Sequence, residues 1–290
     1  MKDNTNIRKV VIWLVIIAAV SLTVALINFM YVEDYFKGFQ KANNFEENLI
    51  DEVKNFNIDN LKEIYINSVS AGVSVFSTDE KDIKVHFHGK SLGSSKQQVP
   101  KLTANVEGDM LKIVLEYPKT AFSFIDFSAL LDIYLPLEYT GNIMVETVSA
   151  GIGISNLNIN NLQCETVSGG LRIKSLILED CILKTTSGGI SITDFTGNLK
   201  AESISGGVDI GYKSFYHNVD IKTTSGGIKI DFPKDAEFYL KANTFSGEVV
   251  AKFPITITNS SKKLQLEGVV GAGNGSVIIE SVSGNIYLNK

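Results

Sequence analysis

The sequence predicts an all-β protein: a parallel β-solenoid of about 19-residue rungs with a short antiparallel N-terminal cap, preceded by one transmembrane helix. Three observations predict it. A Ser-Gly-Gly motif recurs at a near-constant interval, apolar and polar residues alternate on both sides of each copy, and a long apolar run lies near the N-terminus.

The motif comes first, because an internal repeat decides architecture. Full copies stand at Ser168-Gly169-Gly170, Ser187-Gly188-Gly189, Ser205-Gly206-Gly207 and Ser225-Gly226-Gly227. Looser copies stand at Ser70-Ala71-Gly72, Ser149-Ala150-Gly151, Ser246-Gly247 and Ser283-Gly284. From Ser149 to Ser246 the serines are 19, 19, 18, 20 and 21 residues apart. The 37 residues from Ser246 to Ser283 make about two periods, which predicts one degenerate rung, Gly271 to Gly275, between them.

Aligned on the serine, the copies show which residues face inward. Six and four positions before it stand pairs such as Ile143/Val145, Leu162/Cys164 and Cys181/Leu183. Three and five positions after it stand Ile152/Ile154, Leu171/Ile173, Ile190/Ile192 and Val208/Ile210. Two positions before it the residue is always Ser or Thr, a column that predicts hydroxyls bonding to one another between rungs. Period-two alternation on either side of a glycine turn is the pattern of half-buried strands joined by a bend. One rung cannot bury its own apolar face, but stacked rungs turn each column into a continuous ladder. An antiparallel sandwich would not require the same residue type in the same column of successive repeats.

Residues 76–140 interrupt the repeat. Ile83 to His88 alternates, a Gly108-Asp109 turn joins two short runs, and Leu131 to Leu135 ends at Pro136. These read as strands and a hairpin that cap the open N-terminal end of the stack, where an exposed edge would invite aggregation. The solenoid domain is thus expected over 59–290.

Val10 to Met30 is apolar apart from Ser21, Thr23 and Asn28. As a helix these residues span about 31 Å, the thickness of a bilayer core. Lys2, Arg8 and Lys9 precede the run, while Glu33 and Asp34 follow it. The positive-inside bias then places residues 1–9 in the cytoplasm, 10–30 in the membrane, a stalk over 31–58, and the remainder outside the cell. A cleaved signal peptide is the rival, and the run is longer than such segments require.

The repeated Thr-x-Ser-Gly-Gly-hydrophobic-x-Ile units, the stretch Leu131-Asp132-Ile133-Tyr134-Leu135-Pro136 and the N-terminal anchor together resemble the putative adhesin domains, a family of unknown function, in their membrane-anchored, LiaG-like form. The resemblance covers about residues 58–290. It implies an envelope-facing bacterial β-solenoid with no catalytic residues to carry over.

The residues themselves argue the same way. A net charge of −5 is the wrong sign for a nucleic-acid partner. The outward run Glu165, Lys184, Glu202 and Lys222 alternates in sign without singling out a carboxylate pair, so it reads as surface charge pairing rather than polysaccharide chemistry. No cofactor or metal is expected: His86 and His88 share a strand face without a ligand cluster, and no Lys-Ser/Thr follows the Gly-Gly pairs as a phosphate loop needs. Cys164 and Cys181 fall in inward columns two residues out of step, which predicts free core thiols. Phe122, Phe124, Ile125 and Phe127 form either a partner patch or a plug for the end of the core.

The function expected is a non-catalytic, membrane-anchored extracytoplasmic module that binds an envelope protein or cell-wall component. The alternative is a regulatory or structural subunit of an envelope stress-response system, and a polysaccharide-active enzyme comes third. The turn residues Ser149, Ser168–Gly170, Ser187–Gly189, Ser205–Gly207, Ser225–Gly227, Ser246–Gly247 and Ser283–Gly284 are the candidate site.

Overall fold

The computed structural model describes residues 46–93, 99–117, 126–261 and 264–290. Among them every regular element is a β-strand, and the protein is all-β. The expected transmembrane segment 10–30 lies outside the described residues, as do Phe122, Phe124 and Ile125. Residues 46–57, inside the segment expected to be a stalk, are instead a strand, because Ile50 and Phe56 alternate inward against the core.

In chain order the strands are β1 (Glu46–Asn57), β2 (Glu63–Ser68), β3 (Gly72–Thr78), β4 (Asp82–Gly93), β5 (Lys101–Glu107), β6 (Met110–Glu116) and β7 (Asp126–Pro136). Then follow β8 (Asn142–Thr147), β9 (Ile152–Asn158), β10 (Asn161–Thr166), β11 (Leu171–Ser187), β12 (Ile190–Ser205), β13 (Val208–Tyr212) and β14 (Asn218–Ser225). The last are β15 (Ile228–Asp231), β16 (Phe238–Ser246), β17 (Val249–Ala251), β18 (Thr256–Ser261), β19 (Gln265–Val270), β20 (Gly275–Ser283) and β21 (Ile286–Asn289).

Two parallel ladders meet at the serine turns. The strands that enter the turns lie side by side in the order β6, β2, β8, β10, the end of β11, the end of β12, β14, β20, β16. The strands that leave them follow the order β7, β3, β9, the start of β11, the start of β12, β13, β15, β21, β17. Registers join like positions: Leu162 pairs with Ile143 and Cys181, and Ile173 with Ile154 and Ile192. Each inward column is therefore a continuous apolar ridge, and its members are almost wholly buried.

At both ends spatial order departs from chain order. The β20–β21 repeat slots between β14–β15 and β16–β17, although β16–β17 precedes it in sequence. Likewise β2–β3 lies between β6–β7 and β8–β9. Strands β6 and β7 thus form a repeat of their own inside the segment expected to be only a cap, with Leu111, Ile113, Leu131 and Ile133 in the inward columns. The degenerate rung expected at Gly271 to Gly275 is also absent. The interval holds β18 and β19, an antiparallel pair laid on β16, and then a turn at Gly271 and Gly273, with φ of 61° and 75°. Antiparallel strands close the other end too: β5 on β6, and β4 followed by β1 on β7.

A second bend recurs seven residues after the serine in three consecutive repeats. Asn156, Ser175 and Asp194 adopt left-handed backbone with φ of 56°, 53° and 54°. Short polar side chains tolerate that conformation best. Beyond the bend Leu157, Leu176, Phe195 and Tyr212 pair in a third buried column. Toward β16 the interior becomes aromatic, where Phe215, Phe232, Phe238 and Phe253 join Tyr212 with ring centroids 4.5–6.3 Å apart.

Candidate functional site

The turns align in one exposed edge. Ser149, Ser168, Ser187, Ser205, Ser225, Ser283 and Ser246 follow one another along it and all are exposed. Their spacing is that of neighbouring strands, about 4.8 Å.

Sterics explain the first glycine of the motif. A Cβ on Gly188 would stand 2.0 Å from the Gly169 carbonyl oxygen, and on Gly206 2.1 Å from that of Gly188. The same clash continues through Gly226, Gly284 and Gly247, which confirms their order in the stack. Ala71 and Ala150 take this place in the two copies before Gly169, where the turn accepts a methyl group. The second glycine is different. A Cβ on Gly170, Gly189 or Gly227 would meet nothing closer than 3.5 Å, and Asn285 and Glu248 occupy the same place in two repeats.

The hydroxyl column behind the turns is buried, and it serves the turns more than itself. Hydroxyl-to-hydroxyl bonds join Thr147 to Thr166 (2.9 Å) and Thr223 to Ser281 (3.2 Å). Otherwise the hydroxyls donate to turn carbonyls: Thr166 to Ala150, Thr185 to Gly169, Ser203 to Gly188 and Thr244 to Gly284, at 2.9–3.3 Å. Those carbonyls are the atoms that crowd the next glycine, so one buried hydroxyl fixes each turn where it stacks.

An open groove runs along each side of the edge. One, of about 1030 Å³, passes over the second-glycine column and is flanked by Ser74, Arg172, Asp209, Lys229 and Tyr287. The other, of about 800 Å³, lies between a charged column and an apolar one. In the charged column Lys184 bonds Glu165 at 2.8 Å and Lys222 pairs with Glu280 at 3.3 Å. The Lys184 bond holds Glu165 below the usual carboxylate range and raises Lys184 in return. The expected pairing along this column is thus present, with Glu280 inserted beside Lys222 by the displaced β20. The mostly apolar column next to it, directly before the serine, holds Val148, Val167, Ile204, Val282 and Phe245, all exposed, with Thr186 and Thr224 among them. Alternation alone marks these residues as outward, but only the stack shows that they form a line.

The remaining singled-out residues lie elsewhere. His86 and His88 stack with centroids 4.3 Å apart, and each bonds a carboxylate at 2.8 Å, Asp51 and Asp132 respectively. They are paired rather than merely solvated, because β1 and β7 flank β4 and bring the acids to them. Among the described residues no group of three or more His, Cys, Asp or Glu is placed to hold a metal ion. Cys164 and Cys181 are free, and burial raises both thiols far above their ordinary value. Phe127 opens β7.

Two overlapping stretches, residues 61–185 and 139–289, match the family described as Toastrack DUF4097. The chain belongs to the Toastrack family. Two matches that overlap are what a repeat of this kind produces, since either half carries the Toastrack pattern. Among curated proteins none matches the chain. In fold it is similar to a putative cell adhesion protein from Clostridium sporogenes, at 15% identity over 83% of this chain and 99% of that one, with a TM-score of 0.41. A putative adhesin from Bacteroides fragilis is similar at 10% identity, 82% and 96% coverage and a TM-score of 0.41. A putative lipid binding protein from Parabacteroides distasonis is similar at 15% identity, 83% and 97% coverage and a TM-score of 0.32.

Proposed function

We propose that this Toastrack chain is a non-catalytic, adhesin-like binding module of the bacterial envelope. In this reading the two parallel ladders form a β-solenoid outside the cell, and residues 10–30 anchor it in the membrane with the N-terminus inside. The observation that carries the proposal is the continuous turn edge, flanked on both sides by open grooves. Extended faces of stacked repeats are common binding surfaces. The acids lining the second groove are engaged, Glu146 by Tyr65, Glu165 by Lys184, Glu202 by Lys200 and Glu280 by Lys222, which supports a binding face.

The LiaG-like regulatory reading rests on a different observation. Strand β1 joins the segment that follows the anchor to β4 through a 12-residue antiparallel pairing, so a displacement at the membrane would reach the sheet directly. Proximity labelling of the full-length protein in its native membrane separates the two readings, run beside a version whose residues 1–45 are replaced by an unrelated anchor. Partners that persist with the foreign anchor support the binding module. Partners that vanish transfer the function to the native anchor and refute binding by the solenoid alone.

A further inference from the structure

We propose that the outer face of the β2–β16 ladder is a two-fold interface with a second copy of this chain. The face carries the charged column and the apolar column of the 800 Å³ groove side by side. Val148, Val167, Ile204 and Val282 are 44–56% exposed on it, and Phe245 is 82% exposed. Single exposed apolar residues are ordinary, but a row of them along one face, interrupted by Thr186 and Thr224, is a contact surface.

The charges identify the occupant. In spatial order from β2 to β16 the charged column reads Asn67, Glu146, Glu165, Lys184, Glu202, Lys222, Glu280, Asn243. A two-fold axis parallel to the strands, passing between Lys184 and Glu202, reverses this order in the partner. Lys184 then meets Glu202, Glu165 meets Lys222 and Asn67 meets Asn243 across the interface. In the column directly before the serine the same operation sets Val148 against Val282, Val69 against Phe245, Val167 against Thr224 and Thr186 against Ile204. One like-charged pairing results, Glu146 with Glu280. Each of these acids already has donors of its own, Tyr65 at 2.6 Å for Glu146 and Lys222 at 3.3 Å for Glu280.

The central pairings, Lys184 with Glu202 and Glu165 with Lys222, are independent of where β20 sits; its displacement sets only the outer positions, with Asn67 opposite Asn243 and Glu146 opposite Glu280. The area is also sufficient. Eight strands at about 4.8 Å and six residues at about 3.3 Å cover roughly 34 Å by 20 Å, near 700 Å² per copy, against about 800 Å² per partner in a standard stable interface. Like-charge and opposite-charge positions across such a face fix its register more than its strength.

The test uses the full-length chain in lipid nanodiscs. Val148 and Val282 are five strands apart in one copy, about 24 Å, so no disulfide can join them within a chain. Val148→Cys/Val282→Cys is expected to form a covalent dimer under mild oxidation, while either single variant stays monomeric on a denaturing gel. Lys184→Glu/Lys222→Glu is expected to weaken the dimer at least tenfold by mass photometry. Mixing it with Glu165→Lys/Glu202→Lys is expected to restore a heterodimer. The proposal is overturned if the wild-type chain is monomeric at micromolar concentration, if the single cysteine variants cross-link as well as the double, or if charge reversal leaves the dimer intact. That last result would place association in the anchor.

Discussion

Between Asn161 and Tyr212 each repeat pairs with those just before and after it in the chain, whereas at either end the chain skips a place and a later or earlier repeat fills it. The same columns and turns serve both regions. In the middle, neighbours in space are about 19 residues apart in sequence; at the end, Thr223 bonds Ser281 across 58. The comparison teaches that a repeat of this kind specifies a place in a ladder but not which place. It also separates two demands on the chain: the middle closes cheaply through short loops, while the ends require longer closures before their strands pair.

The strongest way to break the comparison is to remove residues 275–290, which empties the slot between β14 and β16. Hydrogen exchange is expected to show loss of protection over 218–270, while the repeats at 142–212 stay protected. Uniform loss would mean that the middle has no stability of its own. Next in size, Gly188→Val in the middle is expected to cost about 3 kcal/mol or more in urea unfolding, because its side chain meets backbone. Gly189→Ala should stay within about 0.5 kcal/mol, since its site has room. Equal costs would refute the steric distinction between the two glycines.

A smaller effect sharpens the comparison at the hydroxyl column. Thr166→Val, which removes the donor to Ala150 and the acceptor for Thr147, is expected to cost about 1 kcal/mol or more. Thr244→Val at the end loses only the bond to Gly284 and should cost less in the same urea assay.

The smallest effect is acidic. Hydrogen bonding from Lys184 holds Glu165 below its ordinary 4.5. At Asp231 burial raises the carboxyl, but bonds from Lys229 and Asn289 outweigh it and leave the value below the ordinary 3.8. Both groups are depressed in the folded state, so their stabilisation is full above the unfolded values and is lost as pH falls through the folded ones. Urea midpoints should therefore hold between pH 7 and 5, which lies above both unfolded values, and decline below about 4.5. Lys184→Gln should remove a small part of the decline, because so exposed a pair is screened by solvent.

Much of the fold was legible because each repeat carries its own marker. Ser-Gly sets the register, and Ile143 to Val277 and Ile152 to Ile230 fall into inward columns by counting from it. The β6–β7 repeat was not legible, since the sequence between its two strands carries no Ser-Gly marker to count from. The bend at Asn156, Ser175 and Asp194 left a faint signal, short polar residues at one offset, that alternation does not reveal. Of the candidate site, the turn residues could be read directly. The two grooves could not, because each is made by the lateral sum of residues that are individually unremarked.

By itself, then, the sequence determined the strands, the turns, the inward faces and the all-β class, since alternation and glycine sterics act between residues close in the chain. Only the tertiary structure decided the order of the ends, the carboxylate partners of His86 and His88, and the arrangement of charge on the outer face. Any repeat with the same inward columns satisfies any slot almost equally. Which one fills it depends on loop closure and side-chain matching between residues that are far apart in sequence.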